Sequence, residues 1–160
     1  MDLIIKNRFT PAGGSYVRNL AGEDVYKVKG RWLSFTRKKF VMTMDGKLLF
    51  MVRNKYWRIF RHSAMIYDPN GNLVAKALRK ISMADDYIVS GYQPELSVVG
   101  QVMNYNYQIL CGGHLVAKIF RPITFVNDVY ELTILDDSMV SLLVALVIAV
   151  DNIADQMRHS

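Results

Sequence analysis

With 160 residues, 51% of them apolar, the chain has the size and composition of one folded domain with a substantial core, which excludes general disorder. One cysteine, Cys111, excludes an intramolecular disulfide and suits a reducing cytoplasm. The net charge of +6 is unevenly spread: residues 1–80 hold 17 Lys and Arg against 5 Asp and Glu, and residues 81–160 hold 3 against 9. Such asymmetry implies either an anionic partner or two halves that neutralise each other.

Met1-Asp2-Leu3-Ile4-Ile5-Lys6 has neither the basic start nor the long apolar core of a signal peptide, so no secretion leader is expected. Leu3 to Phe9 reads as a first strand and Thr10 to Gly14 as a turn. A strand, glycine turn, strand pattern then occurs four times, around Gly22, Gly46, Gly71 and Gly113. Asp45-Gly46 and Asn70-Gly71 are the clearest hairpin signals, because these residue types tolerate the positive φ of tight turns. Further strands are expected at Trp32–Thr36, Tyr87–Gly91, Leu96–Met103 and Val129–Leu135, giving ten to twelve in all. Small residues alternate on one face of two returning strands: Ala75 and Ala77 follow Leu73, and Ala117 lies between Leu115 and Ile119. They leave space for another element in the core.

That element is the apolar run Met139 to Val150, closed by Asp151-Asn152. It has no one-sided period, so it must be buried all round. A run of twelve residues, with Ser141 inside it, falls short of the roughly 20 that a membrane span needs. Asp136-Asp137-Ser138 supplies acceptors for a helix start, so a helix is predicted from about Met139 to about Met157. Its first part is expected to be core, and from Asp151 onward (Asp151, Asp155, Gln156, Arg158) it is expected to emerge into water. The simplest architecture is a mainly β fold, a closed or nearly closed antiparallel barrel threaded by this C-terminal helix, which also leaves no exposed strand edges.

Several segments resemble the LURP-one-related family, with its bacterial YxjI-like members, in the tubby C-terminal-like superfamily. They are Met65 to Lys80 with its Asp-Pro-Asn-Gly turn, Phe120-Arg-Pro, Val129-Tyr-Glu-Leu, and the terminal run Asp137 to Asp151. The resemblance implies one domain built as a twelve-stranded barrel around a central hydrophobic helix. It implies no established activity for most bacterial members. It also points to relatives, tubby proteins and phospholipid scramblases, that act at membranes, tubby domains holding phosphoinositides through Lys and Arg on the barrel wall. No lipid-contacting residue is transferred from them to a position here.

Catalytic chemistry is thinly represented. His62, His114 and His159 have no metal-ligand spacing with Cys111 or a carboxylate. Cys111-Gly112-Gly113-His114 could form an activated thiol, but a small buried hydrophobe beside a turn is the simpler reading. Asp85-Asp86 reads as a solvated turn and Asp136-Asp137 as a helix cap, and neither Gly-Gly pair precedes a helix as a phosphate loop would. No enzyme, cofactor or metal is expected.

The basic stretch remains. From Lys27 to Arg61 eleven Lys and Arg stand against the single acid Asp45. Arg37, Lys38 and Lys39 lie between Phe35 and Phe40, and Arg53, Lys55, Arg58 and Arg61 alternate with Tyr56, Trp57 and Phe60. These seven cations form the candidate ligand-binding patch of a non-enzymatic binding or scaffold domain. An anionic phospholipid or membrane surface suits cations mixed with amphipathic aromatics, and would place a cytoplasmic protein peripherally at the membrane. Nucleic acid suits them through phosphate neutralisation and stacking. A third reading has the charges only solvating outer barrel faces, in a protein-interaction barrel.

Overall fold

The computed structural model describes residues 1–6, 15–30, 36–55, 62–80, 86–100, 106–122 and 129–158. Twelve strands close into one antiparallel barrel: β1 (Asp2–Lys6), β2 (Ser15–Asn19), β3 (Asp24–Gly30), β4 (Lys39–Thr43), β5 (Leu48–Asn54), β6 (Ser63–Tyr67), β7 (Leu73–Arg79), β8 (Tyr87–Ser90), β9 (Leu96–Gly100), β10 (Asn106–Cys111), β11 (His114–Phe120) and β12 (Val129–Ile134). Every strand pairs with its neighbour in sequence, and β1 closes the ring on β12 with Leu3 opposite Leu132. The expected hairpins around Gly22, Gly46, Gly71 and Gly113 are all present. The third shows why these residues turn there: Asp68 Oδ1 accepts from the amides of Asn70 and Asn72, at 2.9 and 2.8 Å, while Gly71 takes φ 85°. Of the expected strand Trp32–Thr36, residues 32–35 lie outside the described residues and Thr36 is in a turn. The expected continuations at 7–9 and 101–103 also lie outside them.

The helix begins as a 3-10 turn (Asp137–Met139) and continues as α1 (Val140–Arg158). Asp136 caps it, accepting from the Ser138 amide at 3.0 Å. From Met139 to Val150 every residue except Ser141 is buried, and Leu143 through Leu146 are wholly enclosed. By length and composition the helix could cross a membrane, so shortness is not what keeps it from lipid. Its apolar surface is already walled in by strands.

Alternation fixes what lines that wall. Val17, Val28, Val41, Val52, Ala64, Ile66, Ala75, Ala77 and Val89 point inward and are fully or almost fully buried. The helix packs chiefly on β5 and β6, with lesser contact to β4 and β7. On β6 and β7 the inward Ala64, Ala75 and Ala77 admit it closely, while larger Leu3, Ile5, Leu96, Ile109, Leu132 and Ile134 fill the opposite side. The expectation that small inward residues make room for the helix therefore holds for β7.

The expected exit at Asp151 does not occur. Asp151 is 3% exposed, Asn152 and Ile153 are 0% exposed, and only from Ala154 does the helix become half-buried. A carboxylate can stay inside here because strand partners satisfy it, as described below.

Because α1 has no solvent face before its last turn, Leu146→Asp should place a carboxylate where no water reaches. The cost, several kcal/mol against a total of about 5–15 kcal/mol, should leave the protein insoluble or unfolded by circular dichroism. A soluble variant with an unchanged melting curve would show that the helix is not the core.

Candidate functional site

An all-hairpin barrel puts alternate connections at opposite ends, and here the two ends differ in charge. One end, where α1 enters, carries the tight turns 20–23, 44–47, 68–72, 91–95 and 112–113 and the step from β12 into the helix. These contribute Glu23, Asp45, Asp68, Glu95, Asp136 and Asp137, with Lys47 as the only Lys or Arg among them. The opposite end, where α1 finishes, carries Lys6, Lys29, Arg37, Lys38, Lys55, Arg79, Lys80 and Arg121 among the described residues. The acids described there are Asp86, Asp151 and Asp155, and each is engaged with the fold. Asp86, expected in a solvated turn, instead accepts from the Gly100 amide at 2.8 Å. This division does not follow the halves of the sequence, since Glu23, Asp45 and Asp68 of the acidic end come from residues 1–80.

The seven candidate cations meet different fates at the basic end. Arg58 and Arg61 lie outside the described residues, as do Tyr56, Trp57 and Phe60. Lys55 is exposed and Lys38 half-buried. Arg53 lies on the outer wall of β5, stacked 4.9 Å over the Tyr67 ring and donating to its hydroxyl at 2.9 Å. Arg37 turns toward the helix, with Nη1 3.2 Å from Asp155 Oδ2. Lys39 is not on the surface: it shares the inward face of β4 with Val41 and is 7% exposed.

Lys39 and the helix end form a polar plug. Lys39 Nζ donates to Asp151 Oδ2 at 3.2 Å, and the Tyr130 hydroxyl donates to Asp151 Oδ1 at 2.8 Å. One turn on, Asn54 Nδ2 donates to the Asn152 carbonyl and to Gln156 Oε1, both at 3.0 Å. Asn152 Nδ2 donates to the Arg37 carbonyl at 3.0 Å, while its own Oδ1 and that of Asn54 are shut off from solvent without a donor. Burial raises the Asp151 pKa above the ordinary carboxylate value and the neighbouring Asp155 adds to this, whereas Lys39 and the Tyr130 hydroxyl oppose the rise. A cavity lined by Ile5, Ser15, Val28, Lys39, Tyr130, Val147, Ile148 and Asp151 lies beside the pair, with room for about one water and none for an organic ligand.

Of the other candidate groups, His159 and Asp85 lie outside the described residues. Cys111 is half-buried, not fully buried as expected, with Sγ 3.7 Å from the Pro94 carbonyl. His114 stands opposite it in register and is exposed. Among the described residues no three His, Cys, Asp or Glu come together as metal ligands would.

A family model described as LURP-one-related matches residues 1–151. Among solved structures, the X-ray structure of a protein from Arabidopsis thaliana is similar over 94% of this chain and 91% of its own, with a TM-score of 0.55 and 15% identity. At that identity the likeness bears on the fold alone. No curated protein sequence matches the chain.

The plug makes a prediction about stability. Lys39→Met removes the cation beside a buried carboxylate and should cost about 3–5 kcal/mol at neutral pH. Lys39→Met with Asp151→Asn removes both charges and should recover most of that loss in urea melts. The sign of the pH effect follows from the raised pKa. Stability from such a carboxyl is full below its unfolded value and is lost as pH rises through the folded one. Lys39→Met alone should therefore regain stability on acidification, and the double variant should not.

Proposed function

The chain belongs to the LURP-one-related family, and we propose that it is a non-catalytic binding domain whose basic end docks onto an anionic lipid surface. The observation that carries this reading is the segregation of charge between the barrel ends. A helix-filled interior turns the search for a ligand to the outside of the barrel. The wall adjoining the basic end supports the same partner. Strands β3 to β7 contain one acid, Asp24, which is paired with Arg18 at 2.5 Å. Their outward positions include Lys27, Lys29, Arg53 and Lys76, interleaved with the half-buried Phe40, Met42, Met51, Met65 and Tyr67. Cations among flexible apolar side chains suit the headgroup layer, where each Lys or Arg contributes about 1 kcal/mol.

Nucleic acid is the weaker reading because, among the described residues, two tyrosines of the barrel wall lie under cations and are not open to bases. Lys27 lies 5.9 Å over Tyr16 and Arg53 4.9 Å over Tyr67. Single-strand binders keep such rings open for stacking.

Co-sedimentation with phosphatidylcholine vesicles, with and without phosphatidylserine, tests the proposal. Binding should require the anionic lipid and weaken as salt shortens the Debye length from about 10 Å at 0.1 M to about 3 Å at 1 M. Reversing Lys38, Lys55 and Lys80 to glutamate should lower affinity by roughly 100-fold or more, since three cations are lost and three anions gained. Reversing Glu23 and Glu95 to lysine at the other end should not lower it. Preference for an oligonucleotide over the anionic vesicles at matched salt would overturn the lipid reading.

A further inference from the structure

At the basic end one cation is held by an acid of the chain itself, in a way that differs from its neighbour. Lys39 and Asp151 are sealed, with side chains 9% and 4% exposed, so their pair belongs to the core. Arg37 and Asp155, 3.2 Å apart, are 32% and 27% exposed, so solvent and solutes reach both. The Arg37 backbone is anchored independently of that ion pair. Its carbonyl accepts from Asn152 Nδ2 at 3.0 Å, and the preceding Thr36 carbonyl accepts from the Asn54 amide at 2.7 Å. Arg37 also adopts φ 49°, in the left-handed region that residues other than glycine rarely occupy, and such outliers persist where surrounding structure holds them in place. The guanidinium can thus exchange its partner while the backbone stays where it is.

From this we infer that Asp155 is an internal stand-in for an external anion at Arg37. The site would receive a phosphate group, and the helix end occupies it when none is present. Guanidinium binds phosphate oxygens as readily as carboxylate, in the same forked geometry. The neighbouring Lys38, on a rim rich in Lys and Arg, favours the more highly charged competitor. The inference rests on the proposed binding role and adds its regulation: the helix carboxylate lowers affinity for anionic surfaces until it is displaced from Arg37.

The test compares four forms of the full chain on phosphatidylcholine vesicles containing phosphatidylserine: wild type, Asp155→Asn, Glu131→Gln, and Arg37→Gln combined with Asp155→Asn. Glu131 is exposed on β12 and gives the same change in net charge without releasing Arg37. Asp155→Asn should tighten binding roughly fivefold, the gain from one added surface cation, and Glu131→Gln clearly less. Adding Arg37→Gln should abolish the extra gain. A parallel titration with inorganic phosphate separates the sources: competition with vesicles only in Asp155→Asn points to the phosphate group itself, and no competition points to the lipid surface as a whole. Equal gains from Asp155→Asn and Glu131→Gln, or a gain that survives Arg37→Gln, would overturn the inference while leaving lipid binding intact. Failure of every form to bind the vesicles would overturn the lipid reading and this inference together.

Discussion

A helix that is apolar on every side has to be walled in, and most of this structure follows from that requirement. Nineteen residues of α1 rise about 28 Å at roughly 1.5 Å per residue, so the wall must enclose that depth without an open edge. A closed ring of hairpins meets the demand with short connections and leaves no unpaired strand. The inward alanines of β6 and β7 follow from the same demand, since larger residues there would push the helix off the strands it contacts most closely.

Where the helix ends, the same enclosure turns into a problem of charge. Asp151 and Asn152 would each be costly inside an apolar barrel, and the strands answer with Lys39, Tyr130 and Asn54. Such a plug adds little net stability compared with apolar packing, because desolvating two charges offsets most of their attraction. It does fix the helix in register. Sliding α1 by one residue would separate Lys39 from Asp151 and Asn54 from the Asn152 carbonyl together, so shifted packings are penalised far more than the native one is favoured.

The barrel and its helix were legible in the sequence because their signals are local. Asp-Pro-Asn-Gly at 68–71 turns by its own hydrogen bonds, and the apolar run from Met139 announces a buried element. What the sequence hid is long-range. Asp151 reads as the mark of a helix leaving the core, and it stays inside because Lys39, 112 positions earlier, faces it. A signal did exist: in Lys39-Phe40-Val41-Met42 the lysine shares the parity of Val41, and an inward lysine demands a buried acid. The charged ends were hidden for a similar reason. Halving the chain by residue number mixes both ends, whereas sorting connections by alternation separates acidic turns from basic ones. Of the seven candidate cations, strand alternation places two, sending Lys39 inward on β4 and Arg53 outward on β5.

The charge separation has a structural use as well, and magnitudes decide how much of it that use accounts for. A helix carries a partial positive charge at its N-terminus and a negative one at its C-terminus, so acids at the entry and bases at the exit favour α1. That effect is about 0.3–1 kcal/mol per charge and fades beyond the terminal turn. Asp136 and Asp137 at the entry and Arg37 at the exit lie close enough to supply it. Lys55 follows Asn54, which bonds the helix end, but is itself exposed, as is Lys80, and Lys6 and Lys29 are on strands farther round the ring. Their mutual repulsion works against the compact state, and helix stability does not require them. The surplus of cations at this end therefore exceeds what the helix terminus uses, which is the feature the proposed anionic partner would meet.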